Sequence, residues 1–251
     1  MAGPYVVAIV LAAGAGKRMA ASVNKVFLPV AGRPILAWSL ECFERDRSVS
    51  EVIIVAAASE IEECRQRVVE QFGLKKVTAL VGGGPTRHDS EFCGLLHLQE
   101  RIDTGSVEIV LIHDAVRPFI TAPLVGRVIA EAVAGGAAIP CVRAASTVVR
   151  AVPGGQLTTD SADLYAAQTP QAFAAPLVLE AHRRAETDGF KGSDTSSVVE
   201  QAGYTVAVVE GSYDNIKITT ADDLIRAEQI ARNLPQLRGG PSFLTAETAS
   251  A

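Results

Sequence analysis

The sequence is short of aromatic residues, 5% of the chain with a single tryptophan, and it has neither a paired-cysteine motif nor an excess of positive charge. Each shortage excludes something. Cys42, Cys64, Cys93 and Cys141 stand far apart with no C-x-x-C among them, so neither a cysteine zinc site nor a disulfide framework is indicated and reduced, mostly buried thiols are expected. A net charge of -5 argues against a nucleic-acid partner, which calls for a basic face to neutralise phosphates. A small anionic ligand needs only a local basic pocket. The apolar run in MAGPYVVAIVLAAGAGKRM has no basic residue before it and is broken by glycines before membrane-spanning length, so no membrane association is expected. It reads as a first strand, and the protein as cytoplasmic.

What is present fits a soluble globular chain: 251 residues, 48% apolar and 20% charged, with nothing in the middle that looks like a linker. Tyr5 to Ala12 is a nearly unbroken apolar run ending in small residues, the pattern of a parallel strand buried on both faces. Val52–Ala56, Val77–Val81, Ile109–Ile112 and Val206–Val209 repeat it and alternate with helical patterns, which implies a parallel sheet covered by helices. Helices are expected from about Pro34 to Asp46, from a Ser59/Glu62 capping box to Gly73, from Thr121 to Gly135-Gly136, and over TTADDLIRAEQIARN. Between Cys141 and Gln168, STVVRAV, Pro153-Gly154-Gly155 and a polar return segment predict a hairpin. The expected architecture is α/β: one doubly wound, mostly parallel sheet over residues 1–236 with a projecting β-arm at about 141–168. A tail at 237–251 is expected to be disordered.

The strongest local signal is LAAGAGKRM, where a buried strand ends in Gly14 and Gly16 followed at once by Lys17 and Arg18, with Lys25 seven residues on. Glycines let backbone N–H groups approach phosphate closely. A plain glycine turn with solvated charges is the alternative. Met19 breaks a dinucleotide fingerprint, and Leu11 and Arg18 break a P-loop, so neither familiar glycine motif applies. VGGGPTRHDS follows another strand and could be either a ligand loop or an ordinary turn into a helix capped by Asp89 or Ser90. HDAVRPF ends the buried run EIVLIHD, which puts Asp114 at the carboxyl edge of the sheet, where such carboxylates hold magnesium or a ribose hydroxyl or pair with a neighbour such as Arg117. His113 is read as structural rather than as an acid or base.

These segments, with QTPQAF and DNIKIT, occur in the order and spacing of the 2-C-methyl-D-erythritol 4-phosphate cytidylyltransferase family, which the sequence resembles over nearly its whole length. The resemblance implies a Rossmann-like nucleotidyltransferase that moves CMP from CTP to 2-C-methyl-D-erythritol 4-phosphate, using magnesium (Mg2+), as a homodimer joined through the arm. Carried over by motif, Arg18, Lys25 and Lys217 are the catalytic cations. Ala13, Gly14, Ala15 and Gly16 wrap the nucleotide, Gly83, Gly84 and Ser90 read the cytosine edge, and Arg87 braces their loop. Asp114, Arg117, Thr147 and Thr169 meet the acceptor, Asp114 doubling as the metal ligand, with Asp214 a weaker candidate for it.

The sequence departs from the family pattern at several points. Ser161 stands where the family carries an arm arginine that grips the acceptor phosphate, Pro85 stands where an acidic residue is common, and Asn24 and Val26 flank Lys25 in place of a proline and a glutamine. Ser161 in particular falls on the acceptor side, which keeps a second acceptor such as ribitol 5-phosphate in view. A non-catalytic nucleotide-binding relative is the third reading, and it has little need of four charged site residues.

Overall fold

The computed structural model describes residues 3–14, 24–144, 149–151, 157–159 and 164–234. Strand β1 (Val6–Leu11) is solvent-free from Val6 to Val10, as an apolar run without alternation requires. A small hairpin of β2 (Pro29–Val30) and β3 (Arg33–Pro34) leads into helix α1 (Ile35–Arg45), with Pro34 and Asp46 at its two caps. Strand β4 (Glu51–Ala56) precedes α2 (Ile61–Cys64). Here the expected capping box fails: Ala58–Glu60 already forms a 3-10 turn, so Ser59 lies inside helical backbone, and no side chain caps either segment. The coil continues as a wider π-type turn over Arg65–Glu70 and ends before Gly73, whose φ of 60° suits glycine.

After β5 (Val77–Gly82) come α3 (Arg87–His97), α4 (Gln99–Asp103), β6 (Ile109–Asp114), α5 (Ala122–Gly135) and β7 (Ala137–Arg143). Gly136 ends α5 in the left-handed region at φ 88°. The expected arm is present as β8 (Val149–Ala151) paired antiparallel with β9 (Leu157–Thr159). Its limits are narrower than 141–168, because Cys141 to Arg143 pair with β10 (Tyr165–Ala167) inside the main sheet. The chain then runs through β11 (Gln171–Ala174), α6 (Ala175–Asp188), α7 (Thr195–Gln201), β12 (Ala207–Glu210) and α8 (Ala221–Asn233). Thr220 and Asp223 cap α8 reciprocally. The 237–251 segment lies outside the described residues.

Among the described residues the main sheet has eight strands. β5, β4, β1 and β6 lie side by side and parallel, then β11 runs antiparallel between β6 and β7, and β12 pairs parallel with β7 on the far side. Successive residues of β1 face opposite layers: Val6, Ala8 and Val10 pack with Leu36, Leu40 and Phe43 of α1 and Val125 and Val128 of α5, whereas Val7 and Ile9 pack with Leu95 of α3 and Val178 of α6. Each fully buried Leu, Ile or Phe in these layers contributes about 1.5–3 kcal/mol of apolar burial. The chain winds outward from β1 to β4 and β5 and then crosses back to β6. That reversal opens a crevice at the carboxyl ends of β1 and β6, and Asp114 sits opposite Leu11 at its edge. Among the described residues no helix is long and apolar enough to cross a membrane.

Candidate active site

The crevice holds a cleft of about 450 Å³ whose strand-side wall is Leu11, Ala12, Ala13 and Gly14. Lys25 and Val26 line it from the next segment, and Gly84 to Arg87 and Ser90 from the opposite loop. The glycines are there for space. A Cβ on Gly83 would lie 2.7 Å from the Ala13 Cβ, so the two loops close on each other only without a side chain there, and a Cβ on Gly84 would run into Asp89 at the start of α3. The cap of α3 is Thr86, not Asp89 or Ser90: Thr86 Oγ1 accepts from the Asp89 N–H while Asp89 returns a bond to the Thr86 N–H. Ser90 instead braces the loop, its hydroxyl accepting from Gly84 N–H at 3.2 Å and lying 2.9 Å from the Thr86 carbonyl. Lys25 opens a 3-10 turn that Asn24 ties down, Oδ1 accepting from Val26 N–H and Nδ2 donating to the Ala12 carbonyl and to Glu60.

Asp114 is the ionic centre. Its Oδ1 accepts from Arg87 Nε at 2.9 Å, its Oδ2 lies 2.7 Å from Lys217 Nζ, and Arg117 Nε stands 3.9 Å away. Burial alone would raise this carboxyl, but Arg87 first and Lys217 next outweigh it and hold Asp114 well below the usual carboxylate range. Burial likewise opposes the Arg87 charge, and Asp114 with Glu91 more than restores it. Arg87 was expected to brace the glycine loop; its guanidinium goes to these two carboxylates instead. Arg117 spends its terminal nitrogens on the Asn215 and Ala167 carbonyls, which stitches two distant loops to the sheet edge.

A second cleft, about 260 Å³, shares Arg87, Asp114 and Lys217 with the first and is completed by Arg117, Ala167, Gln168, Thr169, Gln171, Ser193 and Asp194. Behind it a hydrogen-bond chain fixes every proton. His113 Nε2 faces the Arg117 carbonyl at 3.2 Å, and a carbonyl can only accept, so the neutral ring carries its hydrogen there. Nδ1 then accepts from the Thr169 hydroxyl at 3.0 Å, and the same hydroxyl accepts from Asp114 N–H at 3.1 Å. Burial pushes the His113 imidazole down to about 3, consistent with a neutral ring. His113 is structural, as its sequence context suggested, and Thr169 has its side chain engaged inward.

Of the residues singled out from the sequence, Ala13, Gly14, Lys25, Gly84, Arg87, Ser90, Asp114, Arg117, Thr169 and Lys217 line one or both clefts, with Gly83 directly behind Ala13. Ala15, Gly16, Arg18, Thr147 and Ser161 fall outside the described residues. Asp214 lines neither cleft. Sequence reasoning missed Gln168, Gln171, Asp194 and Thr219. Gln168 clamps the 212–215 loop through Ser212 and Asn215, and Gln171 donates to Asp194 at 2.7 Å and accepts from Ser196 N–H. The two glutamines flank Thr169 in QTPQAF, so a signal was there; Asp194 in an ordinary polar loop offered none.

Comparison with known proteins gives one answer. The family profile for 2-C-methyl-D-erythritol 4-phosphate cytidylyltransferase matches residues 6–233. The curated protein of that name from Geobacter metallireducens is 43% identical over 233 residues, covering 92% of this chain and 99% of its own. Its counterpart in Geobacillus kaustophilus is 42% identical over 226 residues, 89% of this chain and 95% of its own. Among solved structures, 4-diphosphocytidyl-2C-methyl-D-erythritol synthase from Anaerococcus prevotii superposes with a TM-score of 0.78 at 30% identity, covering 91% of this chain and 96% of its own. The 2-C-methyl-D-erythritol 4-phosphate cytidylyltransferase of Thermus thermophilus gives 0.69 at 31%, covering 91% and 99%.

Proposed function

The chain belongs to the 2-C-methyl-D-erythritol 4-phosphate cytidylyltransferase family, and from that premise we propose that the larger cleft takes CTP, the smaller takes the acceptor, and the Asp114 cluster stands at the seam. The enzyme transfers the cytidylyl group of CTP to 2-C-methyl-D-erythritol 4-phosphate and releases pyrophosphate. The observation that carries the assignment of clefts is that they share Arg87, Asp114 and Lys217 as a common wall. An oxygen of the acceptor phosphate forms a bond to the α-phosphorus while the α–β anhydride bond breaks and its electrons leave with pyrophosphate. A phosphate monoester is already an anionic nucleophile near neutral pH, so no side-chain nucleophile or base is needed. Charge grows on the equatorial and leaving oxygens, and fixed cations meet it. Lys25 and Lys217 line the larger cleft for that role, and Arg18 is assigned as their companion. Asp114 keeps Lys217 and Arg87 in place.

Asp114 is the one carboxylate lining the larger cleft among the described residues, which fits a magnesium ion held by a single protein carboxylate and the triphosphate itself. When bound, that ion would neutralise phosphate charge. The β8–β9 ribbon stands outside the main sheet and supports a homodimer joined through the arm. Four free cysteines support a reducing, cytoplasmic setting. The deciding experiment is pyrophosphate release from CTP against a panel of polyol phosphates. Turnover with 2-C-methyl-D-erythritol 4-phosphate is expected to exceed that with ribitol 5-phosphate; the reverse order would overturn the acceptor assignment, and no release with any acceptor would overturn catalysis.

A further inference from the structure

Glu91, on α3, sends its two carboxylate oxygens to unlike surroundings. Oε1 pairs with the Arg87 guanidinium and accepts from Thr195 Oγ1 at 2.5 Å. Among the described residues Oε2 faces only His182 Nε2, at 3.3 Å. The proton on His182 is fixed from its other side: Nδ1 lies 3.0 Å from the Val178 carbonyl, so the neutral ring bears its hydrogen at Nδ1 and presents a bare lone pair at Nε2. That lone pair meets a carboxylate oxygen where Glu91 is 1% and His182 0% exposed. Two acceptors do not hold this separation in a dry site unless positive charge stands between them.

His88 stacks on His182 with ring centroids 5.0 Å apart and an interplanar angle of 16°. It is 4% exposed, and neither of its ring nitrogens makes a hydrogen bond. Glu186 Oε1 comes within 3.3 Å of His88 Nε2 but off the direction in which the ring donates. A buried imidazole with two idle nitrogens stands beside a buried carboxylate–imidazole pair, so three electron-pair donors gather in one dry pocket.

We propose that His88, Glu91 and His182 hold a resident transition-metal ion of the zinc(II) class, separate from the cation that accompanies CTP. One donor atom from each residue lies within 4.8 Å of the others. The 3.3 Å between His182 Nε2 and Glu91 Oε2 is close to the edge of a tetrahedron with metal–ligand bonds of about 2.0–2.1 Å, which is about 3.4 Å. Two imidazoles and one carboxylate select zinc, cobalt or nickel over magnesium and calcium, which take oxygen sets. The outer contacts are those that orient such ligands: His182 Nδ1–H on a backbone carbonyl, and Glu91 Oε1 on Arg87 and Thr195. Glu186, partly exposed, marks the solvent side and supplies a fourth ligand or the place of a water. A proton on His182 Nε2 would also relieve the His182–Glu91 contact, but it leaves both His88 nitrogens idle. Because Arg87 spans Glu91 and Asp114, the ion sets how the guanidinium is shared with the catalytic carboxylate.

The test is elemental analysis of the full chain after incubation with zinc(II) and gel filtration into metal-free, chelator-free buffer. About one zinc per chain is expected for the native protein, falling to background in His88→Gln and His182→Gln. Cobalt(II) loading of the native protein gives a reading independent of whether the variants fold: intense visible bands of a tetrahedral site are expected. Background zinc in the native protein, undiminished zinc in either variant, or an octahedral cobalt spectrum would overturn the proposal. So would a metal-free native protein whose His182 appears as an imidazolium by nitrogen NMR.

Discussion

The two clefts that meet at Asp114 are built by different means. The larger is walled by backbone and small residues, Ala12, Ala13, Gly14 and Gly84, with cations projecting in from Lys25 and Lys217. The smaller is walled by polar side chains that have already found partners: Thr169 on His113, Gln171 on Asp194, Arg117 on two carbonyls. A triphosphate offers many oxygens and mainly needs close approach and positive charge, which bare backbone and lysines supply. A small polyol phosphate offers fewer, so a cavity of fixed shape must carry the discrimination. Substitutions in the first cleft should therefore change turnover, and those in the second should change acceptor affinity.

The largest effect is expected where the clefts coincide. Asp114→Asn leaves Arg87, Lys217 and Arg117 around a neutral amide, and breaking a buried ion cluster of this kind costs about 3–5 kcal/mol of stability. Denaturant unfolding should show that loss together with nearly abolished turnover. Native-like stability in the variant would mean that the cations do not depend on the carboxylate. Next comes Lys25→Ala, confined to the larger cleft: kcat should fall by about a hundredfold or more with the circular dichroism unchanged. Steady-state kinetics decide it, and turnover close to the parent's would remove Lys25 from the catalytic set.

On the acceptor side the effect should be smaller and appear elsewhere. Gln168 is buried and holds Ser212 and Asn215, the loop leading to Lys217, by bonds to both of its amide atoms. Gln168→Ala takes the partner from the part-buried Ser212 N–H and loosens the loop, at a cost of about 1–3 kcal/mol. The acceptor KM should rise about tenfold for each 1.4 kcal/mol that reaches binding, while the CTP KM stays near its parent value. An equal rise in both constants would erase the division between the clefts.

The same division governs how much could be read in advance. The larger cleft depends on local features: a strand that ends in glycines, a VGGG turn, an aspartate closing a buried run, each visible within ten residues or so of its neighbours. The smaller cleft depends on pairs such as Gln171 with Asp194 and Gln168 with Ser212, 23 and 44 positions apart. Nothing in a single polar residue tells whether its partner is water or a distant carbonyl. Ser59/Glu62 failed for the opposite reason. The pattern was right locally, but the backbone had already begun to coil at Ala58, so Ser59 stands inside the coil rather than at its cap. Thr86, three residues before the expected Asp89, took the cap of α3 because it lies where the chain leaves the glycine turn in an extended conformation.

The smallest effect is a slope, and it isolates the floor of the smaller cleft. His113 stays neutral in the folded chain down to about pH 3, because burial outweighs the pull of Asp114 while Arg117 and Arg87 add to the opposition, whereas its ordinary value is 6.5. Between those values the unfolded chain binds one proton more than the folded one. The contribution of His113 is therefore complete above pH 6.5 and drains away as the pH falls toward 3, at about 1.4 kcal/mol per pH unit. Asp114 acts in a lower window: its carboxyl is depressed from 3.8, so its contribution persists until the pH falls below that value. Urea unfolding at a series of pH values from neutral down to about 3, repeated on His113→Gln, separates the two. The variant should lose about one proton's worth of slope above pH 4 or so and keep the steeper fall beneath it. Parallel curves for variant and parent would mean that His113 titrates freely in the folded chain, and that the hydrogen-bond chain through Thr169 does not hold the second cleft in shape.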